Sequence, residues 1–263
     1  MKKALYIIGA YLIIQAAAGL VAQLYTIAAG LPQPHSIPAS TLLTLLFACS
    51  VLTAIVTILI CRNENKRPFK GLQGPSHSAS VLLLSAIATI PLIAISNCLT
   101  EITGLPDNLA SNFAEMCTSV WALPVMAVFG PLSEEICFRY GVTGALLKQM
   151  PSSPTKAIVA SALIFGIIHM NPAQIMGATL LGMFFAWLYV KTNSIWPSVI
   201  CHILNNSIAV ITLRTMPSDI SISKMLPAPG YIYLVLIASI IVAIPLLWTL
   251  NKVLPTHQTP NNS

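Results

Sequence analysis

The sequence predicts an all-α polytopic membrane protein of about eight transmembrane helices with both termini in the cytoplasm. Three observations predict it. Of 263 residues, 56% are hydrophobic and only 8% charged. Soluble domains carry about 25% charged residues, so most of this surface must face lipid rather than water. Uncharged stretches long enough to cross a bilayer recur along the chain, and the cations between them are distributed unevenly from one loop to the next.

The uncharged stretches are 4–29, 40–60, 79–99, 118–133 continuing to about 141, 157–190, 194–213 and 231–250. The first begins Met1-Lys2-Lys3 and contains Ala16-Ala17-Ala18, which mimics a secretory signal. The run is longer than the roughly 7–15 apolar residues of a signal peptide, so it reads as the first membrane helix. The 157–190 stretch is too long for one span and is interrupted at Asn171-Pro172-Ala173-Gln174. Proline removes a helical donor, and the stretch divides into 157–170 and 174–190. With eight spans and a cytoplasmic N-terminus, Lys2, Lys3, Arg62, Lys66, Arg67, Lys70, Lys148, Lys156, Lys191 and Lys252 fall inside, and only Arg214 and Lys224 outside. Seven or nine spans scramble this asymmetry. No internal repeat or soluble domain interrupts the chain: residues 1–263 form a single integral membrane domain, with 253–263 expected as a disordered tail.

The net charge of +6 does not imply nucleic acid, because no basic run is interleaved with aromatics. The six cysteines, Cys49, Cys61, Cys98, Cys117, Cys137 and Cys201, form no CxxC pair and read as small apolar fillers.

Ionisable residues inside spans are costly and mark function or a paired structural contact. Here they are Glu134, Glu135, Arg139, His169 and His202. Glu135 and Arg139 are four apart and share a helix face, so they can pair as architecture. Glu134 points about 100° away and has no local partner, which suits a carboxylate aimed at a cavity and acting as a base. Gly130-Pro131 should kink the helix just upstream. Asn206 lies four residues after His202 on the same face, and Asn205 nearly so; alone, such a stripe could be interhelical glue. One glutamate, two histidines and an asparagine on three separate spans are together the parts of a hydrolytic site. From span boundaries, Glu134 and His202 can share a level, whereas His169 looks several ångströms too deep.

Other chemistries fit less well. Both aspartates, Asp107 and Asp219, fall in outside loops, which removes an intramembrane aspartyl pair. There is no GxSxG turn for a serine nucleophile and no HExxH. Glu134, His169 and His202 are legitimate ligands for an open zinc site; the alternative is a metal-free site in which glutamate activates water.

The patterns Glu134-Glu135-xxx-Arg139, Phe165-xxx-His169 and His202-xxx-Asn206, in that order in separate apolar segments, resemble the three motifs of the CAAX protease and bacteriocin-processing family, which includes the type II CAAX prenyl endopeptidase. The resemblance implies a core over 118–213 and a membrane-embedded endopeptidase in the inner (plasma) membrane, opening toward the cytoplasm. It implies that Glu134 and His169 activate water and that His202 and Asn206 stabilise the oxyanion. Glu135, Arg139, Phe165 and Asn205 support them. It also implies no cofactor, with zinc on Glu134, His169 and His202 as the alternative. The implied partners are the lipid bilayer and a peptide or protein with a membrane-associated cleavage site, not nucleic acid. Rival readings are a non-catalytic immunity or scaffold protein, and a small transporter using Glu134. The absence of inverted repeats counts against the transporter.

Overall fold

The computed structural model describes residues 2–31, 37–62, 78–216, 221–228 and 230–254. Lys66, Arg67, Lys70, Asp219 and the expected tail from 255 onward lie outside the described residues. Val253, expected to begin that tail, instead closes the last helix.

Among the described residues every regular element is helical. α1 (Lys2–Ala28) and α2 (Ala39–Arg62) are apolar and pack together. α3 (Ala79–Thr103) contains Pro91 and ends at Gly104, whose φ of 61° is the left-handed stop that glycine adopts freely. The short α4 (Ala110–Cys117) follows. A continuous helix over 123–149 then carries the glutamates; we call it the motif helix. It alternates a π segment (Leu123–Phe129), an α segment (Gly130–Glu135), a second π segment (Ile136–Thr143) and a final α segment (Gly144–Gln149). α5 (Pro154–Ile167) and α6 (Pro172–Thr192) form a hairpin, each opened by proline in its first turn. α7 (Trp196–Thr215), the short α8 (Ile222–Met225) and α9 (Tyr231–Val253) complete the chain.

Six of these helices, α1, α2, α3, α6, α7 and α9, are long and apolar enough to cross a membrane. The motif helix and α5 occupy the remaining two of the eight stretches read from the sequence. The division at Asn171-Pro172 is present, with bounds of 154–167 and 172–192 in place of 157–170 and 174–190. α1 and α9 lie mostly exposed, with Leu5, Ile13, Ile27, Tyr233, Ile241 and Ile244 all turned outward. Such a coat is stable only against hydrocarbon.

The core forms on both sides of the motif residues. One cluster joins α1, the motif helix and α5 through Ile7, Phe138, Val142, Ala157 and Phe165. Another joins α3, α6, α7 and α9 through Ala88, Phe185, Leu188, Cys201 and Leu250. Small residues permit the closest approaches. A Cβ on Gly166 would collide with Thr179 Oγ1 and come within 2.8 Å of the Ile175 carbonyl, so glycine is what lets α5 meet α6.

Candidate active site

The motif helix presents its carboxylates between two π segments, and Pro131 explains part of this. In a π pattern each N–H bonds five residues back, as Gly130 N does to the Val125 carbonyl. The acceptor that matches residue 131 is Met126, and proline has no N–H to give it. The Met126 carbonyl instead accepts from Asn206 Nδ2 at 3.0 Å, which ties α7 to the motif helix beside the glutamates. Gly130-Pro131, expected as a kink, is accommodated by the π segment that precedes it. In the second π segment Thr143 Oγ1 donates to the Phe138 carbonyl at 2.8 Å and pairs with Ser161 of α5 at 2.7 Å.

Glu135 and Arg139 pair as their spacing predicts, with Oε2 2.9 Å from Nε and both side chains fully buried. The contact is an ion pair rather than a well-aligned hydrogen bond, and the two terminal guanidinium nitrogens have no hydrogen-bond partner among the described residues. Rings face that guanidinium instead: its carbon lies 4.5 Å from the centroid of Phe165 and 5.7 Å from that of Phe185, within cation–π range. The other oxygen of Glu135, Oε1, lies 3.0 Å from His202 Nδ1. Glu135 therefore connects α7 to the motif helix, a larger part than the local pair read from the sequence.

His202 stands between both glutamates. Its Nε2 lies 3.8 Å from Glu134 Oε2, and Phe185 stacks on the ring at 5.1 Å and 30°. Glu134 is the more open carboxylate, its side chain 24% exposed against 0% for Glu135. The continuous order Arg139–Glu135–His202–Glu134 thus runs from a fully buried cation to a partly exposed carboxylate.

His169 is not inside a helix: α5 ends at Ile167, and the histidine stands in the following turn. Its Nδ1 is 2.7 Å from the Phe165 carbonyl. Among the described residues no ion pair joins it to Glu134; it shares with His202 the buried ring of Phe165, at 5.0 and 5.9 Å. The motif helix runs on to Gln149, beyond the boundary near 141 from which the sequence placed Glu134. Asn205 Nδ2 donates to Asn206 Oδ1 at 3.0 Å, so Asn205 orients its neighbour.

Phe185 and the Met126 carbonyl were not legible in the sequence. Phe185 is one apolar residue in an apolar helix, and a backbone oxygen leaves no mark beyond the proline five positions later.

Among the described residues no group of three or more His, Cys, Asp or Glu side chains is placed to hold a metal. Glu134, His169 and His202 do not converge as a ligand set in this geometry.

Residues 116–208, which carry every candidate residue, match the Rce1-like family, described as type II CAAX prenyl endopeptidase Rce1-like. Over this stretch the chain is similar to that CAAX protease family. It is 29% identical to YdiL of Bacillus subtilis (strain 168), provisionally named a membrane peptidase, over 60% of this chain and 66% of that protein. It is 25% identical to the membrane-embedded CAAX protease MroQ of Staphylococcus aureus (strain USA300), over 72% of this chain and 78% of that protein. The match to YdiL thus covers just under two thirds of its length. No solved structure matches the chain significantly. These similarities and the six long apolar helices agree on a multi-pass membrane protein similar to membrane peptidases.

Proposed function

We propose that this chain is an intramembrane endopeptidase in which Glu134, assisted by His169, deprotonates a water that attacks a peptide carbonyl. The observation that carries this reading is the ordered series Arg139–Glu135–His202–Glu134, with only the last carboxylate open. Arg139 balances Glu135, Glu135 fixes the His202 ring, and Glu134 is left free to take a proton. His169 acts from the turn beside Phe165, within reach of a water rather than of Glu134 itself; such contacts often tighten only with substrate bound.

The attack forms a C–O bond and places negative charge on the former carbonyl oxygen. His202 keeps Nδ1 on Glu135 and turns Nε2 toward that oxygen. Asn206 has one amide hydrogen on Met126 and a second for the oxyanion. The proton held by Glu134 then passes to the leaving amine as the C–N bond breaks, giving a carboxylic acid and an amine. No cofactor enters these steps.

The substrate class we propose is a peptide or protein cut at a membrane-associated site. We also propose location in the inner (plasma) membrane, both termini cytoplasmic, with the site reached from the cytoplasm. The charge asymmetry of the loops and the resemblance of the motifs support this orientation.

Glu134→Gln removes the base while keeping size and hydrogen bonding. Cleavage is expected to fall by about 10²–10⁴-fold or more, with the protein still inserted and monodisperse. Peptide mass spectrometry of cells carrying either the wild-type protein or the Glu134→Gln variant reads the loss and names the substrates together. Full cleavage by the variant rejects the assignment.

A further inference from the structure

α5 has 14 residues and rises about 21 Å, short of the ~30 Å hydrocarbon core. An α5 that starts at one face of the hydrocarbon would leave the turn from Ile168 to Asn171, which carries His169, short of the other face. Irregular backbone there persists only where protein or a water-filled cavity satisfies it. The local means of doing so are not used. Asn171 is the residue before the first turn of α6 and a preferred N-cap type, yet its side chain makes no cap hydrogen bond to its own helix. It is fully buried and turned to the loop that follows α3. Its Nδ2 donates to Asp107 Oδ1 at 2.8 Å, and its Oδ1 accepts from Asn108 N at 3.2 Å. Beside them Ala173 N donates to the Pro106 carbonyl at 3.3 Å. Asp107 is itself held, its Oδ1 accepting from Leu109 N at 3.1 Å. The loop over 106–108 thus caps α6 in place of a local cap, across more than sixty residues of sequence. Between this latch and His169 lies Met170, a non-glycine residue at φ 51°. Such a conformation is held by its surroundings rather than chosen by the residue.

We propose that Asp107 is a positioning residue for the reaction: through Asn171 its carboxylate sets where the turn places His169. This rests on the reading above in which His169 takes part in water activation. Asp107 touches no reacting atom; it acts through one hydrogen bond and a two-residue step of backbone. Displacing His169 by about 1 Å is expected to cost about 10²-fold in turnover.

The chemistry allows an exchange test. Asn171→Asp sets two carboxylates against each other. Asp107→Asn combined with Asn171→Asp restores the side-chain bond of the latch with the partners reversed: the new amide donates to the new carboxylate, which still accepts from Asn108 N, and only the bond from Leu109 N, which falls on the same Oδ1, is given up. Asp107→Ala, at an exposed position, removes the acceptor without adding charge and guards against misfolding of the buried variant. Full-length purified protein is assayed in two ways: for kcat and KM on a peptide identified by the Glu134→Gln comparison, and for carbethoxylation of His169 by diethyl pyrocarbonate, located by mass spectrometry. The expected result is a lower kcat at unchanged KM and faster His169 modification in Asn171→Asp and Asp107→Ala, both reversed in the double variant. Wild-type kcat and His169 reactivity in the single variants, or a folded double variant that recovers neither, overturns the proposal. If the wild-type protein cleaves nothing, the peptidase reading fails, while the His169 reactivity still decides the latch.

Discussion

Phe165 was singled out in the sequence only as the first residue of a pattern, and its place shows what that spacing accomplishes. Its ring is 1% exposed and contacts Phe138 at 5.1 Å, His169 at 5.0 Å, His202 at 5.9 Å and the Arg139 guanidinium at 4.5 Å. Phe165→Ala is therefore expected to cost about 3–5 kcal/mol from the cavity, and to reduce cleavage beyond its effect on stability because two histidines lose their wall. A thermal melt beside an activity assay separates the two effects; a stable and fully active variant contradicts this role. Arg139 makes a sharper prediction. Arg139→Leu leaves Glu135 fully buried without its cation, at an expected loss of about 3–5 kcal/mol. Removing both charges, as Glu135→Leu with Arg139→Leu, is expected to recover much of that stability without recovering cleavage, since His202 then lacks its Nδ1 partner. Denaturation in detergent of the single and double variants measures the first claim, and peptide turnover the second.

At the scale of elements, the motif helix and the α5–α6 hairpin decide the site. The motif helix gives up regular α bonding on both sides of the glutamates and uses a released carbonyl at Met126 to hold Asn206. The hairpin depends on Gly166, where a side chain would meet Thr179 and the Ile175 carbonyl. Gly166→Ala is expected to force α5 from α6, destabilising the protein by about 1–3 kcal/mol as overpacking does. It is also expected to displace His169, three residues on. Cleavage should fall more than the folded fraction does; equal falls in both would assign Gly166 to packing alone. These features were partly legible. Asn171-Pro172 marked the break between α5 and α6, because proline and its neighbour restrict the backbone locally. The continuation of the motif helix to Gln149 was not, because Gly141 and Gly144 lower helix propensity where the stretch was ended.

On the scale of the whole molecule, orientation and metal content are the open measurements. A single cysteine at position 152, in the exposed turn between the motif helix and α5, should react with a membrane-impermeant thiol reagent in inverted vesicles and not in intact cells; the reverse pattern overturns this orientation. Elemental analysis of active purified protein is expected to find no stoichiometric zinc, and chelators to leave cleavage unchanged. Zinc whose removal abolished activity would overturn the metal-free mechanism. The sequence by itself determined the class of fold, because 8% charge leaves lipid as the only solvent for most of this chain, and it exposed Glu134, Glu135, Arg139, His169 and His202 because charge at membrane depth is costly enough to be noticed. Tertiary structure alone decided which groups meet. Glu135 proved to be the partner of His202 as well as of Arg139, Asn206 found a carbonyl released by a proline, and Asn171 reached a loop more than sixty residues away. Helical spacing relates residues within one element; contacts between elements depend on packing angle and depth, and no periodicity in the chain records those.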